Sequence, residues 1–146
     1  MTLRTWLPAV LWTAIIALES GFGSGRNTAP VLQQIAFWLF GDMDPARFEF
    51  MHHAARKTGH FLGYGILGYL WFRAFTRVIN STQASTGLAI ACTFVIACLD
   101  EWHQSFLPDR SGQFSDVVLD TCGALLLVSF AMVLSVRRPM KNAASG

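Results

Sequence analysis

From Val117 to Val136 the chain carries one charged residue, Asp120, in an otherwise apolar run. A helix needs about 20 apolar residues to cross a hydrocarbon core of about 30 Å, so this run alone is long enough to span a membrane. Composition points the same way. Of 146 residues, 14% are charged and 53% hydrophobic, whereas soluble domains carry about 25% charged residues. The chain reads as an integral membrane protein. Its small, dispersed net charge of +2 argues against nucleic acid as a partner.

The sequence predicts an all-α integral membrane four-helix bundle forming a single domain over residues 1–146. The spans are expected at about 6–23, 58–75, 82–99 and 117–136. A fifth apolar run, 30–40, is too short to cross and contains Trp38 and two glutamines, which predicts an additional short interfacial helix or lid. Pro45 opens a polar helical segment, 46–56, that leads into the second span. A cleaved signal peptide competes for the first apolar run, with Arg4 as its basic region. The following Glu19-Ser20-Gly21-Phe22 makes a poor small-x-small cleavage site, so a retained signal anchor is expected. Cys92, Cys98 and Cys122 fall inside spans, where cysteine behaves as a small hydrophobe, and no disulfide framework is present.

Basic residues set the orientation. With four spans both termini share one face, which holds Arg4, Arg73, Arg77, Arg137, Arg138 and Lys141 and no acid. The other face holds Arg26, Arg47, Arg56, Lys57 and Arg110 together with all nine acids. Acids contribute little to the positive-inside rule, and Lys57 and Arg110 are expected in a polar site. The termini are therefore expected in the cytoplasm, with the acidic face outside the inner membrane.

Ionisable residues cluster at the outer ends of the last three spans. Lys57, His60 and Tyr64 fall within about 60° of one another around a helix, and Gly59, Gly63, Gly65 and Gly68 occupy much of the rest as close-packing residues. Asp100, Glu101 and Gln104 follow directly on an apolar run, with Asp100 and Gln104 at i, i+4. A charge deep in a span costs roughly 2.5–3.5 kcal/mol, so two adjacent carboxylates there point to a function. Asp116, Asp120 and Gly123 share one face of the fourth span. The turn Pro108-Asp109-Arg110-Ser111-Gly112 presents Arg110, a two-pronged anion grip. Four carboxylates in one small volume cannot all ionise alike, an arrangement suited to acid–base work on a bound anion or to a static network pinning the bundle.

The pattern Lys57-x-x-His60-x-x-x-Tyr64, Asp100-Glu101-x-x-Gln104, Arg110, Asp116 and Gly123 resembles the VanZ-like family of small membrane proteins over about residues 52–130. The resemblance implies a four-helix membrane protein and an association with resistance to glycopeptides such as teicoplanin. The family pattern often has Asn where this chain has Asp120.

Two readings of the pocket stay open. In one, it binds an envelope lipid, cell-wall precursor or glycopeptide antibiotic, with Lys57, Tyr64, Asp100, Gln104, Arg110 and Asp120 lining it and Trp38, Phe61 and Trp102 contacting an apolar tail. In the other, a membrane-embedded hydrolase or transferase uses Glu101, Asp116 and His60 as catalytic acid, base and proton shuttle on a lipid-linked anion. The expected partners are the lipid bilayer and such a ligand, with no cofactor. No metal site is assigned: His60, His103, Glu101 and Asp116 are of ligand type, but His103 lies about 200° round the helix from Glu101, and carboxylates favour a hard cation over zinc. A reporter fused to the C-terminus is expected to be active only as a cytoplasmic enzyme; activity confined to the external side would reverse the topology.

Overall fold

The computed structural model describes residues 3–22, 25–107 and 112–136. Among these there are five helices and no strand: α1 (Leu3–Phe22), α2 (Gly25–Phe40), α3 (Pro45–Phe75), α4 (Thr82–Gln104) and α5 (Phe114–Val136). The helix boundaries follow local chemistry. Pro45 opens α3 at its first turn after Asp44, where a missing N–H costs nothing and the ring pre-sets φ. The Ser81 hydroxyl accepts the Ala84 N–H at 3.3 Å and caps α4. Gly41 ends α2 with φ of 73°, its N–H returning to the Phe37 carbonyl at 2.9 Å, a left-handed stop that glycine adopts without penalty.

Several boundaries differ from expectation. The polar segment 46–56 and the second span are one continuous helix of 31 residues, about 46 Å long at 1.5 Å per residue. The third span does not stop at 99 but continues as helix through Gln104, because Asp100, Glu101 and Gln104 are all buried on its inner face. The apolar run expected at 30–40 is helical and forms the later part of α2. Among the described residues two helices, not four, are long and apolar enough to cross a membrane: Thr82–Gln104 and Phe114–Ser135. Pro8, Thr13 and Glu19 dilute the apolar run of α1, while four glycines, His60 and Tyr64 dilute that of α3.

α3 is the central element, packed most extensively on α5 and α4 and less on α1, with α2 lightly attached. Trp6 near the start of α1 meets Trp71 and Phe75 near the end of α3, at ring separations of 6.0 and 5.3 Å. At the same end Phe72, Ala89 and Val128 form one apolar cluster. Toward the other end, Ile16, Tyr64, Leu67, Ala97 and Val117 form a second. The helices α1, α3, α4 and α5 thus alternate in direction. The indole of Trp12 donates to the Gly63 carbonyl at 2.9 Å and ties α1 to α3.

The inner face of α4 is made of small residues one turn apart, Ser85, Ala89, Thr93 and Ala97, all buried. Ser85 and Thr93 satisfy their hydroxyls on carbonyls four residues back in sequence, at 2.9 and 2.8 Å. The outer face presents Leu88, Val95, Leu99 and Trp102. In α5, Gly123, Ala124 and Val128 face inward, while Leu125, Leu126, Phe130, Val133 and Leu134 face out.

Gly123 is where α5 comes closest to α3: a Cβ there would strike the Phe61 carbonyl oxygen. Gly65 and Gly68 sit at the same interface, facing Leu127 and Ala124. Gly59 and Gly63 have open space where a Cβ would stand, so the expectation that all four glycines serve helix packing holds for two of them. Gly123→Ala is expected to destabilise the fold by about 1–3 kcal/mol, the usual cost of overpacking. Gly87→Ala, at a helical position with nothing within 4 Å, is expected to gain up to about 1 kcal/mol from helix propensity. Thermal unfolding of the two variants in detergent checks both signs.

Candidate functional site

The polar residues of α3, α4 and α5 meet at the end of the bundle away from the Trp6 cluster. Their side chains fall into three groups that differ in how they are satisfied.

The first group is closed. Asp100 is buried, and its Oδ2 accepts two neutral donors, the Tyr64 hydroxyl at 2.9 Å and the Gln104 side-chain amide at 3.0 Å. Tyr64 and Gln104 are themselves buried. A carboxylate taken out of water needs its lone pairs occupied; here one donor comes from the facing helix and one from the next turn of its own. The i, i+4 spacing of Asp100 and Gln104 makes the second bond possible.

The second group is an ion pair between α3 and α5, Lys57 Nζ to Asp116 Oδ1 at 3.3 Å. Lys57 keeps its ammonium partly in solvent while Asp116 is nearly covered. The third group is incomplete. Glu101 Oε2 accepts the Gln113 backbone N–H at 2.8 Å, and Oε1 has no partner. Asp120 Oδ2 lies 3.5 Å from His60 Nδ1, and Oδ1 has no partner. Gly112 lets the chain entering α5 press against the Glu101 carbonyl, which brings Gln113 within reach.

A cavity of about 310 Å³ opens on the other side of α3, between it and α1 and α2. Its polar wall is Glu19, Ser20, His52, Arg56, His60, Tyr64 and Asp100; Ile16 and Leu32 are apolar lining, with Gly59 and Gly63 as floor. The open space at these two glycines is part of this volume. His60 belongs to both sides. Its ring stacks on Tyr64 at 6.1 Å along the cavity wall, and its Nδ1 faces Asp120 behind.

Of the residues singled out from sequence, Lys57, His60, Tyr64, Asp100, Glu101, Gln104, Asp116 and Asp120 are brought together. Arg110 lies outside the described residues. Glu101, Asp116 and Asp120 are absent from the wall of this cavity and stand behind it. Trp102 does not wall it either: it is 64% exposed and packs edge-on against Phe106 at 5.4 Å. Trp38 is also turned outward. Sequence reasoning missed the contributions of Glu19, Ser20, His52 and Arg56. For the last two the signal was available, because His52, Arg56 and His60 recur every four residues on one face of α3.

The VanZ/LLP1 family profile matches residues 5–135, and the chain belongs to that family. No curated protein and no solved structure matches it.

The Tyr64–Asp100 bond is expected to couple the two residues by about 1.5–3 kcal/mol, the range for hydrogen bonds to a charged acceptor. A double-mutant cycle of Tyr64→Phe and Asp100→Asn, followed by unfolding in detergent, measures it. Additive effects would mean that the bond contributes nothing net.

Proposed function

We propose that this member of the VanZ/LLP1 family is a multi-pass protein of the inner membrane, with cytoplasmic termini. Its cavity binds the polar head of an envelope lipid or lipid-linked cell-wall precursor at the outer face. Through that ligand it contributes to teicoplanin-type glycopeptide resistance. The single domain of 1–146 is read as one four-span bundle with α2 lying at the interface.

The observation that carries this reading is the cavity wall. Arg56 and two histidines stand beside Glu19 and Asp100, next to Ile16 and Leu32. Such a wall suits an amphiphile whose head offers both charge and hydrogen-bond acceptors. Residence in a membrane is supported by the inverted burial of the helices. Only 22% and 28% of the apolar windows of α4 and α5 are buried inside the fold, and the buried positions of α4 are polar or small. A soluble core helix would bury its leucines and expose its acids. At about 310 Å³ the cavity takes a headgroup and not a whole glycopeptide, which favours the lipid or precursor over the antibiotic itself.

A second reading, a membrane-embedded acid–base enzyme on a lipid-linked anion, is favoured by one feature: the imidazole of His60 lines the cavity while Asp120 orients it from behind. Glu101 and Asp116 would then tune that pair from the interior. Among the serines near the site, Ser105 and Ser115 donate to neighbouring acceptors, whereas the buried Ser20 hydroxyl on the cavity wall has no partner.

Mass spectrometry of amphiphiles co-purifying with the full chain tests the binding reading. Arg56→Ala is expected to lower the amount retained by about tenfold or more, the equivalent of one charge-assisted hydrogen bond. Equal retention by wild type and variant would remove the cavity from ligand binding. Envelope lipids from cells expressing wild type or Glu101→Gln at matched levels separate the two readings. A covalent product made only by wild type identifies an enzyme. Unchanged lipids with a resistance phenotype that still depends on Glu101 identify a binder.

A further inference from the structure

We infer that His60, Glu101 and Asp120 form a binding site for one divalent transition-metal ion. Each residue comes from a different helix, α3, α4 and α5, and one donor atom from each lies within 4.8 Å of the others. His60 Nδ1 and Asp120 Oδ2 stand 3.5 Å apart, close to the edge of about 3.4 Å of a tetrahedron with bonds of about 2.1 Å. Glu101, with a donor atom within 4.8 Å of the other two, completes the set with a displacement of up to about 1.4 Å to reach such an edge.

Unpartnered oxygens, and not the acidity of the cluster, distinguish this place. Asp120 is wholly buried and Glu101 is 5% exposed, yet each keeps one buried oxygen without a hydrogen bond. Their neighbours are satisfied. Asp100 takes its two donors from Tyr64 and Gln104, and Asp116 takes Lys57. Buried polar atoms are nearly always paired, so two carboxylates from different helices, each keeping an orphaned oxygen and each with a donor atom near the same imidazole, mark a place where a cation belongs. Charge agrees. Four carboxylates meet here, and among the described residues Lys57 forms the ion pair at them that needs no protonated histidine. A divalent ion bound to neutral His60 offsets two of the three remaining charges.

The donor set selects the class of metal. Carboxylates alone favour a hard cation such as Mg²⁺ or Ca²⁺, whereas an imidazole nitrogen shifts preference to Zn²⁺, Mn²⁺ or Fe²⁺. The sequence carries no ligand motif because the three donors are separated by 41 and 19 positions, as their numbers show, and only helix packing unites them. An ion there would cross-link three helices behind the cavity wall and fix the ring of His60 from the side opposite the ligand. The inference does not rest on the lipid-binding reading, since metal binding is measured without any lipid added.

The full chain, purified in detergent through a histidine-free tag and stripped with a chelator, is titrated with Mn²⁺ and followed by loss of the free-ion electron paramagnetic resonance signal. One saturable site per chain is expected, emptied by Zn²⁺ at lower concentration than Mn²⁺, as the stability order of the two ions requires, and left filled by equimolar Mg²⁺. Asp120→Asn and His60→Ala are each expected to weaken binding by about 100-fold or more, beyond the roughly 10–100-fold lost when only an outer partner of a ligand is removed. His103→Ala, which removes an exposed histidine two residues after Glu101 in the chain, is expected to leave it within about threefold. Where a variant does not fold, the wild type still decides: bound Zn²⁺ must raise its unfolding midpoint. Absence of a saturable site in wild type, or equal binding by folded wild type and Asp120→Asn, overturns the inference.

Discussion

The bond pair on Asp100 is the constraint around which the polar end of the bundle is built. A buried carboxylate in an apolar surround is tolerable only when its lone pairs are met. Tyr64 and Gln104 meet them on one oxygen, and the requirement fixes the rotation of α3 against α4. Once Tyr64 points at Asp100, residues one and two turns away along α3 follow. His60 is directed at α5, and Lys57 reaches Asp116. The neighbouring acids then have defined places whether or not they have partners of their own.

Close helix approach makes that geometry attainable. The small residues lining α4 and the contact of Gly123 with the Phe61 backbone bring α4 and α5 against α3 without bulky side chains between them. Large apolar side chains are therefore displaced to the outside of the bundle, an arrangement that suits a lipid surround better than water. In a hydrocarbon surround the helices gain little from burying leucine against leucine. Van der Waals fit and interhelical hydrogen bonds carry the association instead. The same economy of small residues leaves space at Gly59 and Gly63 on the opposite side of α3, and that space is part of the cavity.

His60 couples the two halves of the site. Its ring forms part of the cavity wall and its nitrogen meets the buried acids, so a change in what occupies either side alters the field felt on the other. A ligand at Arg56 and a cation at Asp120 would sense each other through one imidazole. On the proposed reading the acids behind the wall would act by positioning and charge, while contact with an amphiphile would fall to Arg56, His52, His60 and Tyr64.

Much of this was legible in the linear chain. The all-helical class follows from long apolar runs with few charges, and the membership of the polar cluster follows from i, i+3 and i+4 spacing at helix ends, because one helix turn places such residues on a common face whatever packs against it. The sequence by itself thus determined which side chains each helix offers. It did not reveal that α3 runs unbroken from Pro45, since the polar segment and the apolar one differ in composition but not in conformation. Nor could it tell which acids would find partners. That Asp100 is closed, Asp116 ion-paired, and Glu101 and Asp120 each left with an open oxygen depends on the rotation and depth of three separate helices. So does the assembly of Glu19 with Arg56 across a cavity. These are distances between segments far apart in the chain, set by packing of small residues, and only the tertiary structure decides them.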